Sequence, residues 1–234
     1  MQKKSALFDS ILRSQAYTVT YKAVIDGAEY TDHSGLIEAK VYGGLFNGGK
    51  PSVGGCVCRE LDLTVMTQVV FSRMAEIRLY CRVEVREQVS EWLPKGVFFI
   101  DTRQQDSESG IVTIHGYDAV LKSERPFLAE GDPGEWPRAA SAVVNEICRR
   151  MGVELDERSE LDDRIQVPYP NDWTGREILS MLAIAHCGNW TITDTGRLRL
   201  VPFRVEVQTP EEETYYLVDE YGNAITFGGV RILV

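Results

Sequence analysis

From Glu76 to Glu87 apolar and polar residues alternate without a break. Ile77, Leu79, Cys81, Val83 and Val85 share one parity, and Arg78, Tyr80, Arg82, Glu84 and Arg86 the other. A period of two over twelve residues predicts a half-buried strand, its apolar row on a core and its polar row on solvent or a partner. Other stretches of the first half follow the same rule. Tyr17 to Asp26 and Ala28 to Thr31 flank Asp26-Gly27, a hairpin dipeptide suited to positive φ. Val57 to Met66 sets Val57, Leu61, Leu63 and Val65 against Cys56, Cys58, Glu60, Asp62 and Thr64. Gly96 to Thr102 and Gly110 to Gly116 bracket a polar turn at 104–109. Such a series of short strands predicts an antiparallel barrel or sandwich over residues 17–125, preceded by an N-terminal segment, 1–16.

The period then changes. Residues 126–137 are rich in Pro, Gly and acid and read as a linker. Ala140, Val143, Val144, Ile147, Cys148 and Met151 fall on one helical stripe, with Pro137 near its start and Gly152 just past its end. Thr174-Gly-Arg-Glu177 is a capping box, with Trp173 and Ile178 placed as a staple. Ile178, Leu179, Leu182, Ala183 and His186 line that second helix, and Gly188 is read as its stop. Hairpins are expected at 189–203 and at 215–227, with a strand from Val230 to Val234. A chain ending in a strand leaves an edge for another subunit, or for further chain, to cover. The fold class expected is α+β, mainly β. The antiparallel barrel-like domain at 17–125 is followed by a two-helix-plus-hairpin α/β section at 126–203 and the start of a second β domain at 204–234. The helical stripes are expected to pack on the 189–203 hairpin.

Composition narrows the function classes. With 25 basic and 35 acidic residues among 234, the formal net charge is −10. That balance argues against specific nucleic-acid gripping and against docking on anionic membrane. Five cysteines in no disulfide spacing point to folding in a reducing compartment. Cys56 and Cys58 form a C-x-C without a second ligand pair, so no metal is expected.

Chemistry is scarce. The phosphate-loop, dinucleotide-fold, zinc-protease and serine-hydrolase motifs are missing. Gly43-Gly44…Gly48-Gly49-Lys50 has the wrong spacing for a phosphate loop and reads as a flexible connection. His33, His115 and His186 are dispersed, the last at a helix C-terminus where a cation would complement the dipole. Asp101 and Asp118 are the carboxylates that could meet them. The pairs at 162–163 and 211–213 sit in polar, loop-like stretches. Trp92 is read as a loop anchor in preference to a sugar platform. No catalytic residue, cofactor or metal is assigned, and the chain is read as a non-enzyme. The candidate partner interface is the outer row Arg78, Tyr80, Arg82 and Arg86, because Tyr and Arg are enriched at interface hot spots. Its competing reading is a solvated face paired across strands with Glu60 and Asp62.

The order of pieces resembles a known family. Gly49-Lys-Pro51-Ser-Val-Gly54 leads to Glu60-Leu-Asp-Leu; Trp92-Leu-Pro94-Lys-Gly96-Val-Phe-Phe-Ile-Asp101 follows; Ile114-His-Gly-Tyr117-Asp118-Ala-Val-Leu121 closes the module; and Ala185-His-Cys-Gly188-Asn189-Trp leads into Gly196-Arg-Leu-Arg-Leu200. Over about 17–203 this resembles the baseplate-hub and tail-tip proteins of phages and related contractile particles, called late control protein D-like or tail-associated hub proteins. The resemblance implies a homotrimer whose two barrels per chain form a pseudo-sixfold ring joining the tail tube to a spike or tip. The partners it implies are the chain itself, the tail tube, and tape-measure or spike proteins, with no membrane and no specific nucleic acid. It implies a place in the virion tail, and in the bacterial cytoplasm during assembly. This chain departs from the pattern in showing one complete barrel and no peptidoglycan-cutting domain. Two rival readings are an acidic-site carbohydrate- or peptidoglycan-acting enzyme and an adaptor binding peptides at a β edge.

Overall fold

The computed structural model describes residues 4–46, 50–106, 108–128, 134–203, 221, 226–227 and 230–231. It divides into two units, Met1–Pro202 and Phe203–Val234. The first opens with α1 (Ala6–Leu12), capped by the Ser5 hydroxyl, which accepts from Phe8 N at 3.0 Å. Seven residues are too few to hold a helix alone. Phe8 and Ile11 are buried in one cluster with Cys81, Val83 and Leu93, and that packing orders the turn.

Eight strands form one antiparallel sheet: β1 (Thr18–Ile25), β2 (Ala28–Thr31), β3 (Leu36–Tyr42), β4 (Glu60–Met66), β5 (Glu76–Val85), β6 (Gln88–Val89), β7 (Leu93–Gln105) and β8 (Ile111–Tyr117). Their order is β2-β1-β5-β7-β8-β4-β3, with β6 paired to β5. The end strands β2 and β3 are joined by residues 32–35 alone, so the sheet must curl back on itself, and β1 does touch β3. Asp26 and Gly27 both take positive φ, 47° and 84°, as a type I′ hairpin turn requires. The alternating rows of β4, β5 and β8 bury Leu61, Leu63, Ile77, Leu79 and Ile114 inside this barrel-like sheet.

Two strand readings are corrected. β4 begins at Glu60, so Cys56 and Cys58 precede it instead of sharing its outer face. Cys56 is buried and bridges to Trp190. β5 lies between β1 and β7, several strands from β4, so its polar row cannot pair with Glu60 and Asp62.

After a 3-10 helix (Ala119–Glu124) come β9 (Arg138–Ala139), α2 (Ala140–Met151), β10 (Gln166–Val167), α3 (Gly175–Ala185), β11 (Gly188–Ile192) and β12 (Leu198–Pro202). The segment read as a linker is packed at its start: Phe127 is buried and its N–H donates to Trp173 O at 2.8 Å. The helical stripes meet the hairpin as expected. Val143, Val144, Ile147, Leu179 and Leu182 share one cluster with Trp190, Ile192, Leu198 and Leu200. The capping box of α3 is complete. The helix ends differently from the expectation, with His186 as C-cap and the next residue, Cys187, at φ 50°. Gly188 serves the strand instead: a side-chain carbon there would stand 2.6 Å from Val201 O.

In the second unit, β13 (Thr226–Phe227) pairs antiparallel with β14 (Val230–Arg231). The strand expected at 215–219 lies outside the described residues.

Candidate interface and the joint between barrel and α/β section

The even positions of β1 and β5 form the outer face of that part of the sheet, with Thr20 opposite Arg82, Lys22 opposite Tyr80 and Val24 opposite Arg78. Trp92, on the chain entering β7, lies over this face. The Arg82 guanidinium stands 4.4 Å from its ring centre and the Lys22 ammonium 5.1 Å, while Lys22 is also 5.4 Å from the Tyr80 ring. Arg82 Nε donates to Glu84 Oε1 at 2.8 Å, and the Thr20 hydroxyl donates to the same oxygen at 2.8 Å. The Thr20 hydroxyl, with Arg82 behind it, holds the Glu84 carboxyl below its ordinary range.

The proposed row therefore divides. Tyr80 and Arg82 are half covered and engaged within the chain, the side chain of Arg82 being 28% exposed against 56% for Arg78. Arg78 pairs with Glu76 beside it at 2.6 Å and also engages Tyr80, and Arg86 is exposed in the turn after β5 at φ 53°. Trp92 acts as an anchor, wedged between two cations.

The segments that carry the family resemblance meet in space where the barrel touches the α/β section. Asp118 is buried, and its carboxylate accepts from Arg59 N at 2.9 Å, Val120 N at 2.9 Å and Cys58 Sγ at 3.3 Å. It thereby ties the entry to β4 to the start of the 3-10 helix. Burial raises its carboxyl above the ordinary value, and the two backbone donors oppose that rise. Asn189, fully buried, accepts from Gly55 N at 2.7 Å and donates to Leu45 O at 2.9 Å and Ser52 O at 2.8 Å, which fixes both sides of the glycine-rich connection. Trp190 donates from its indole to Leu179 O at 2.8 Å and exchanges backbone bonds with Gly55 and Val57. Gly54, at φ 91°, lies against α3 so tightly that a side-chain carbon would sit 2.4 Å from Ile184. Arg59 spans the two sections through Asp194 at 2.8 Å and Lys95 O at 2.8 Å, and Arg176 through Glu124 and Cys56 O.

The histidines stay apart. His115 Nδ1 lies 2.6 Å from Asp62 Oδ1 on the outer face of the sheet, so its carboxylate partner is neither Asp101 nor Asp118. His186 stands at the C-terminus of α3, its Nδ1 2.8 Å from Leu182 O and its Nε2 2.9 Å from the Asp162 N–H. Burial pushes the Cys56 thiol up to about 12 and Cys148 to about 11, and raises Cys58, beside the Asp118 carboxylate, further still. With their thiols held up by burial, none of the three is set up as a nucleophile. Among the described residues, no group of three or more His, Cys, Asp or Glu side chains is placed to hold a metal. None of the described helices is long and apolar enough to cross a membrane.

Sequence reasoning quoted Asn189 within the Ala185–Trp190 segment but not its role, and missed Lys22 and Arg176. Lys22 and Arg176 left no local signal.

No family model matches the chain, and no curated protein matches it. Solved structures do resemble it in fold. A 43 kDa prophage tail protein of Shewanella oneidensis aligns with a TM-score of 0.48 at 11% identity, covering 79% of this chain and 56% of that one. A tail protein of Neisseria meningitidis aligns at 0.46 and 11%, covering 79% and 51%. A prophage tail protein of Listeria monocytogenes aligns at 0.43 and 11%, covering 88% and 64%. The chain thus spans about half to two thirds of the length of these structures.

Proposed function

We propose that the chain is a structural component of a phage or prophage tail, at the baseplate hub or tail tip, acting by assembly and not by catalysis. The observation that carries this reading is the convergence of motifs. Four segments dispersed between Gly49 and Trp190 carry the resemblance to tail hubs, and they meet at one joint through Gly54, Gly55, Lys95, Asp118, Asn189 and Trp190. A joint of this kind fixes the relation of two sections, which a ring-forming subunit requires. On this reading the chain forms a homotrimer in the particle and joins the tail tube to the tip, with tape-measure or spike proteins as neighbours. It would reside in the virion tail, and in the bacterial cytoplasm during assembly. The outer row of β5 is its proposed subunit contact, with Arg78 and Arg86 reaching the neighbour and Tyr80 and Arg82 stiffening the face beneath.

Mass photometry of the full chain, alone and with the tail tube protein of the same particle, tests this. A trimer, or trimerisation on adding the tube protein, is expected. A monomer at every concentration that the tube protein never captures would overturn it.

A further inference from the structure

A cleft of about 880 Å³ runs between the barrel, the 3-10 helix and α2. In a chain of net charge −10, its wall carries five cations, Arg73, Lys122, Arg125, Arg149 and Arg150, against two carboxylates, Asp101 and Glu124. The partners of these groups show how much charge is left over. Glu124 is bound to Arg176, and Arg150 to Glu146 and Phe127 O. Arg73 meets Asp101 at 3.2 Å while 75% exposed. Arg149 approaches Glu146 only to 3.9 Å, at a carboxylate that Arg138 and Arg150 already hold. Arg125 is exposed and has no ion pair among the described residues. The Lys122 ammonium rests 3.4 Å from the centre of the Phe99 ring and feels the Glu76 carboxylate, with no ion pair within 4 Å among the described residues. Between these cations the apolar surface comes from Met74, Leu121 and Pro126, with the buried Phe127, Ile147 and Met151 behind it.

We propose that this cleft is a docking site for an acidic peptide segment of a partner protein, in which carboxylates alternate with apolar side chains. Lys122, Arg125 and Arg149 would take the carboxylates, and Met74, Leu121 and Pro126 the apolar groups. The chemistry favours this occupant over its rivals. A simple anion would leave most of the volume and all of the apolar wall unused. A polyphosphate chain gains nothing from that apolar surface. The cleft rests on geometry independent of the hub reading, and each can fail without the other.

The test is a titration of the full chain with a labelled peptide alternating Glu and Leu, followed by fluorescence anisotropy, beside the same peptide with Gln in place of Glu. Saturable binding of the acidic peptide is expected, weakening with added salt. Reversing two exposed cations, Arg125→Glu with Arg149→Glu, is expected to weaken it by roughly tenfold or more, since reversal removes two attractions and adds two repulsions. Lys40→Glu with Arg164→Glu, an equal charge change at two exposed cations outside both the cleft and the β5 row, is expected to leave it unchanged. If the cleft variant loses its circular dichroism, Arg149→Gln alone supplies the comparison. The proposal is overturned if the acidic peptide does not bind, if the Gln peptide binds as well, if both charge-reversed variants weaken binding equally, or if a single-stranded oligonucleotide binds more tightly and displaces the peptide.

Discussion

The barrel and the α/β section build their cores in different ways. Every member of the barrel core lies between Ala23 and Ile114, on or beside the barrel strands themselves. The α/β core is not self-sufficient: with the residues of α2, α3 and the β11–β12 hairpin it takes in Cys56 and Phe99 from the barrel side. β7 shows the hand-over most plainly. Phe98 and Ile100 belong to the barrel core and Phe99, between them, to the α/β core. A strand buried on both faces needs an unbroken apolar run, as Val97 to Ile100 provides, whereas β5, covered on one face, alternates. The barrel is thus the platform, and the second section is ordered by docking on it.

The sharpest way to break that asymmetry is a charge in the dependent core. Val144 is fully buried, and Val144→Asp is expected to cost about 4–5 kcal/mol. Native-state hydrogen exchange should then show protection lost across α2, α3 and β11 and kept in β4, β5 and β8. Equal loss in both regions would show a single cooperative unit.

Phe98→Ala and Phe99→Ala compare neighbours on opposite faces. Each is expected to cost about 3–5 kcal/mol. Phe98→Ala should lower exchange protection everywhere, because the platform fails, and Phe99→Ala mainly in the α/β section. Identical protection maps would count against the hand-over at β7.

Asp118 holds the joint. Asp118→Ala leaves two backbone donors and a thiol without their acceptor and is expected to cost about 2–4 kcal/mol. Asp118→Asn should recover part of this, since its single carbonyl oxygen can serve some of the donors. Urea unfolding is expected to turn from one transition to two in the Ala variant; an unchanged midpoint would mean that the joint does not depend on this carboxylate.

The smallest effect is an acid one. Asp156 is buried, and a two-pronged pair with Arg158, at 2.7 Å on each oxygen, holds its carboxyl at about 2. An unfolded Asp titrates near 3.9, roughly. The folded value is lower, so the pair contributes fully above about pH 4 and is lost as pH falls toward 2. Allowing for the part-exposed Arg158, the contribution is about 1–2 kcal/mol. Melting temperatures of the native chain and of Asp156→Asn should differ at pH 6 and converge near pH 2; a constant difference would mean that the pair adds nothing to stability.

Much of the fold was legible in short windows. The twelve-residue alternation at 76–87 is β5 within two residues, the stripe 140–151 is α2, and Thr174–Glu177 caps α3 as written. These patterns are local because side-chain direction repeats every two or 3.6 residues, and burial of one face is enough to select them. β3, exposed at most of its positions on the sheet's edge, left a fainter pattern, and α1 left almost none.

The site was legible as composition but not as geometry. That Arg78, Tyr80, Arg82 and Arg86 share a strand face followed from parity alone. That Trp92 and Lys22 cover half of it, that Asp62 meets His115 and not β5, and that a cationic cleft opens beside Lys122 were decided by the tertiary structure. The physical reason is range. Strand order and the joint bring together residues up to 144 apart, as Leu45 and Asn189 are. No local period records such a pairing, because it is selected only when both cores close together.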